Sequence, residues 1–161
     1  VLAGLTARYI FKKKKLSAFL LICTPFVDVI LLVVTVLDLK NGAVATTVHG
    51  IAAIYIGVSI AFGQQMIKWA DGHFSYRFGN GEKPKKVKYG KEHARKERLG
   101  WLRHFVSWRI GGAILMSIVL YINNYPQTEA LLQTAILWTI ILVIDFFISF
   151  SYTLYPRKEQ A

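Results

Sequence analysis

Four ionisable side chains sit inside otherwise apolar stretches of this chain: Asp28 in CTPFVDVILLVV, His49 in TTVHGIAAIYIG, Arg109 in WRIGGAILM and Asp145 in LVIDFFISF. A charged group at the centre of a bilayer costs roughly 2.5–3.5 kcal/mol on insertion scales, so such groups face a bundle interior and mark proton relays, ion paths or internal pairs. A buried carboxyl stays neutral when alone and ionises beside a cation. At 1.5 Å per residue, Asp28 is expected about 18 Å into the membrane and Asp145 roughly 13 Å. The same arithmetic puts His49 about 9 Å from the opposite face and Arg109 about 6–9 Å deep.

Arg109 and Asp145 lie on consecutive apolar segments joined by a short turn, which makes them the expected ion pair. Asp28 has no cation at its own depth. A neutral Asp28 bonded to a backbone carbonyl or to Thr24 is one resolution, and a relay with His49 and Asp145 is the other. Thr24 and Pro25 add an expected helix break just before it, because a proline frees a carbonyl one turn back. Asp28 and Asp145 sharing a proton would be an acid dyad. No catalytic motif surrounds either residue, so no enzyme activity and no cofactor are expected.

Metal chemistry has little to build on. Asp71 and His73 form a D-x-H pair, His93 and Glu97 are four apart, and His104 follows. Zinc needs three or four converging ligands, and nothing in this spacing forces convergence. Cys23 is the sole cysteine, which excludes an internal disulfide and a cysteine cluster.

These groups need helices to hold them in a membrane. Hydrophobic residues make up 54% of the 161-residue chain, and mean hydropathy is +0.40. Continuous runs such as ILLVVTVL and TAILWTIILVI do not alternate, so an outer-membrane barrel is excluded. The expected class is an all-α integral membrane protein with four spans, at 16–39, 43–67, 105–122 and 130–154. Each is near the roughly 20 residues that cross a ~30 Å core. Lys40-Asn41-Gly42 and Asn123-Asn124-Tyr125-Pro126 are tight turns. The result is two hairpins joined by a long polar segment at 68–104, all one domain. Small residues in the second span (Gly50, Gly57, Ser59, Ala61, Gly63) suit close helix packing, with Gly111 and Gly112 as receivers, or self-association.

The formal net charge is +11. Its distribution sets the expected orientation: nineteen of the twenty Lys and Arg residues fall on the side of the termini and the long loop, and only Lys40 falls opposite. The positive-inside rule then places both termini and the loop in the cytoplasm, in the plasma or inner membrane. The 15-residue opening segment does not read as a signal peptide, because its basic run follows the apolar part.

KEHARKERLGWLRHF reads as a short interfacial helix before the third span. The expected lipid-surface residues are Lys12, Lys13, Lys14 and Lys15, then Lys85, Lys86 and Lys88, and then Arg95, Lys96, Arg98 and Trp101. No nucleic-acid motif accompanies the charge, so anionic lipid is the expected partner. A membrane-protein partner or a second copy comes next. The function expected is that of a structural or accessory membrane protein docking through its basic loop. The alternative is an oligomeric proton- or cation-coupled transporter using Asp28, His49 and Asp145.

Overall fold

A computed structural model describes residues 14–78, 82 and 89–155. The side chains of 14–22, Thr24, Pro25, Asp28 and Phe78 lie outside that description. The described chain is all helical: α1 (Lys14–Lys40), α2 (Thr47–Phe78), α3 (Gly90–Ile122) and α4 (Tyr125–Leu154). Three of them, α2, α3 and α4, are long and apolar enough to cross a membrane.

The expected 68–104 loop is mostly helix. α2 continues through Phe78, and α3 already begins at Gly90. KEHARKERLGWLRHF is therefore helical as expected, but continuous with α3 rather than a separate interfacial helix. The residues explain this: between Gly90 and Ile122 there is no proline and no cluster of β-branched residues to stop the helix. At 1.5 Å per residue, α2 and α3 are each about 48–50 Å long, some 18–20 Å more than a hydrocarbon core.

α1 is also unbroken through Thr24 and Pro25. Proline removes only its own N–H from the ladder, and a membrane helix can continue past that loss. The side chains of Thr24, Pro25 and Asp28 are outside the described residues, as are those of Lys14 and Lys15. Lys12, Lys13, Lys85, Lys86 and Lys88 are outside it altogether.

The turns form where the sequence places them. Gly42 takes φ +95, which glycine adopts without strain. Asn123 takes φ 50, and its amide donates to Val119 O, closing α3. Asn124 caps α4 by accepting from the Gln127 amide, with a proline in the first turn. α4 thus starts at Tyr125, five residues before the expected span.

Packing is concentrated on α3, which lies between α2 and α4. The buried core joins Leu39, Ala45, Ala53, Leu115, Ile118 and Leu131. α2 approaches α3 closely at Gly57: a Cβ there would stand 2.5 Å from Ser107 O and 3.1 Å from Gly111 N. Gly111 in turn lies under the Trp138 ring and against Ala53 O. Gly50, Gly57 and Gly111 therefore serve packing within the chain. Gly63 and Gly112 face open space. Much of the remaining apolar surface is exposed on all four helices, for example Val33, Ile60, Leu120 and Phe147. In water such a surface would aggregate, whereas a hydrocarbon solvent suits it.

Candidate functional site

The α3–α4 hairpin fixes which groups meet. Its tight turn leaves only Asn123 and Asn124 between the helices, so residues equidistant from that turn face each other. Trp108 Nε1 donates to Thr139 Oγ1 at 3.0 Å, and Trp101 Nε1 donates to Leu142 O at 3.2 Å. Arg98 donates to Thr153 Oγ1 at 2.9 Å, and the His93 and Tyr152 rings lie edge to face at 5.0 Å.

In this register Asp145 meets His104. His104 Nδ1 lies 2.6 Å from Asp145 Oδ2. The expected Arg109–Asp145 pair is not formed. Arg109 is five residues nearer the turn than His104, about 7.5 Å along the axis, and a little over a third of a rotation round the helix. Its side chain is exposed. Among the described residues it makes no ion pair or hydrogen bond. The pair's depth also changes. His104 is 18 residues from Ile122 and Asp145 is 20 from Tyr125, so both lie about 27–30 Å from the turn. That places them at the basic edge of the core rather than 13 Å inside it.

His104 borders a groove of about 630 Å³ between α2 and α4. Ile51, Ile54, Val58, Leu137 and Ile141 form apolar walls, and Ser107 and His104 lie on the α3 side. Phe62 of α2 packs on the His104 ring at 4.9 Å. The His104 side chain is 50% exposed and Asp145 27%, so the pair is partly solvated or lipid-facing. Ser107 Oγ is buried without a hydrogen-bond partner, although it shares the groove with His104. The three residues therefore do not form a connected nucleophile–base–acid chain.

His49 has a different job from the relay expected of it. α2 starts at Thr47, not 43, so His49 stands in its first turn. Its Nδ1 accepts from the Thr46 amide at 3.0 Å and faces Thr46 Oγ1 at 3.3 Å, the reciprocal half of a capping box. With Nδ1 accepting, the ring proton is on Nε2, which points to Asp38 Oδ2 at 3.8 Å. His49 and Phe62, the latter level with His104, are 13 residues apart on α2, about 20 Å. Side chains alone do not join the two ends. Gln127 closes the same turn end: its side chain donates to Leu39 O and, at 2.7 Å, to Ala43 O, and its carbonyl accepts from Ala45 N at 2.8 Å.

The loop candidates for a metal are dispersed. His73 Nδ1 donates to Trp69 O at 2.8 Å, His93 lies 3.7 Å from Glu97, and His104 belongs to Asp145. Among the described residues no three such groups converge. Of the expected lipid-surface residues, Arg95 and Lys96 are exposed. Arg98 instead ties α3 to Thr153. Trp101 is wedged between helices, its ring 5.2 and 5.6 Å from those of Phe146 and Phe150.

The chain is 47% identical to the uncharacterized membrane protein YmcC of Bacillus subtilis (strain 168), over 162 residues spanning 100% of this chain and 87% of that protein. It belongs to the YmcC family. No protein-family model and no solved structure matches it. The family's name and the three apolar helices agree on a multi-pass membrane protein. The YmcC name carries no reaction or ligand with it.

Proposed function

We propose that this chain is a four-span accessory protein of the cell membrane, with both termini and the α2–α3 connection in the cytoplasm, whose basic end docks onto anionic lipid. One observation carries the reading. α2 and α3 run some 18–20 Å beyond a hydrocarbon core, and that excess bears exposed Lys68, Arg77, Lys91, Arg95 and Lys96. A rigid helical extension of this kind carries its cations from headgroup level outward, and one near an anionic surface is worth about 1 kcal/mol. α1, 27 residues long, supplies the fourth span in this account.

The test is lipid retention. The protein is extracted with its surrounding lipid from membranes of mixed anionic and zwitterionic composition, and the retained lipid is counted. The wild type should enrich anionic lipid, in a salt-sensitive manner. The triple variant Lys68→Gln, Lys91→Gln, Lys96→Gln should lose a measurable part of that enrichment. An unchanged lipid complement would overturn the proposal. The transporter reading gains no support from the His49 and Asp145 geometry, since each is held by a local partner at opposite ends.

A further inference from the structure

Arg109 is the one ionisable side chain on a seam of α3 that no other helix covers among the described residues. Leu99, Leu102, Val106, Arg109, Ala113, Met116 and Leu120 follow one another in steps of three and four, and all are exposed. Steps of three and four alternating keep residues on one line along a helix, the geometry of a helix–helix seam. Apolar members of such a line need nothing but lipid. Arg109 differs. It lies 13 residues, about 20 Å, from Ile122, and so about 10 Å inside the other boundary of a ~30 Å core. Among the described residues no carboxylate or carbonyl meets it. A guanidinium at that depth reaches the headgroups only by stretching along α3, and a counter-charge at its own level removes that cost.

We infer that this seam docks a membrane-spanning helix of a different protein, one carrying a carboxylate level with Arg109. Three features support that occupant. The planar guanidinium pairs bidentately with a carboxylate, and it is more weakly hydrated than an ammonium, which favours Arg for pairing away from water. Ala113, one turn along the seam, lets a second backbone come close. A single polar residue in an apolar seam selects partner and register at a cost in stability. A second copy is disfavoured, because copies in one membrane share their topology, and a two-fold axis on this seam would oppose the two Arg109 charges. The inference concerns a different face from the lipid-docking cations and does not depend on them.

The test uses the full chain in bilayers of zwitterionic lipid and a defined probe. The probe is a lysine-flanked polyleucine transmembrane helix with one Asp about 10 Å from its boundary. Energy transfer between labels on the two reports association. The Asp helix should associate about tenfold more tightly than an all-Leu helix, the scale that model peptides give for one polar pair. Arg109→Leu, which places an ordinary residue toward lipid, should remove that difference, and Arg109→Lys should restore part of it. Equal association of the two probes, or a difference that survives Arg109→Leu, overturns the inference. So does loss of the difference on adding anionic lipid, since the counter-charge would then be a lipid phosphate.

Discussion

His104 of α3 and Asp145 of α4 stand 2.6 Å apart, 41 residues apart in the chain. Their pairing follows from a turn of two residues between helices, which sets what faces what all the way down the hairpin.

That pairing predicts non-additivity. In a cycle of His104→Gln and Asp145→Asn, measured as detergent stability, the two changes should couple by about 1 kcal/mol, reduced from a buried pair's value because both groups are partly exposed. The cycle of Arg109→Gln with Asp145→Asn should be additive within about 0.5 kcal/mol. The reverse pattern would restore the Arg109–Asp145 pair expected from the sequence.

The glycines of α2 separate close contact from open space. Gly57→Ala must push Ser107 backbone away and should destabilise by about 1–3 kcal/mol. Gly63→Ala meets nothing within 4 Å and should stabilise by up to about 1 kcal/mol through helix propensity. Thermal unfolding of both variants in one detergent is the check, and equal shifts would refute the α2–α3 approach.

The turn end rests on two side chains. His49→Ala removes the acceptor for the Thr46 amide, and should cost about 1 kcal/mol with faster amide exchange confined to the start of α2. Gln127→Leu keeps the volume but leaves the Ala43 carbonyl without its donor and the Leu39 carbonyl with the Gly42 amide alone, at a cost of about 1–3 kcal/mol. Exchange rates that rise at the basic end instead would contradict this assignment.

The sequence already holds much of this. Continuous apolar runs, the Lys40–Gly42 turn and the Asn-Asn-Tyr-Pro turn give the helices and the hairpins, because hydrophobic length and turn chemistry are local properties. The ends of α2 and α3 are less legible. Charged residues from Lys91 to Arg103 suit an interfacial helix and a continuous one equally, and only the lack of a proline before Phe105 distinguishes them. The His104–Asp145 pair was within reach of arithmetic. Counting both ways from Asn123 and Asn124 puts Asp145 level with residues near 102–104 and Arg109 level with Trp138. Counting depth from Leu154 misplaces Asp145, because α4 is longer than the bilayer core. Gln127 and the Thr46–His49 cap left a weaker signal, since long-range bonds to carbonyls have no sequence pattern.

The lipid-docking proposal depends on the basic helix ends facing the cytoplasm. With Cys23 replaced by Ser, single cysteines at Lys91 and at Asn124 can be probed on intact cells with a membrane-impermeant thiol reagent. Labelling is expected at Asn124→Cys, and at Lys91→Cys only after the cells are opened. Labelling at Lys91→Cys on intact cells, with Asn124→Cys protected, would contradict this orientation.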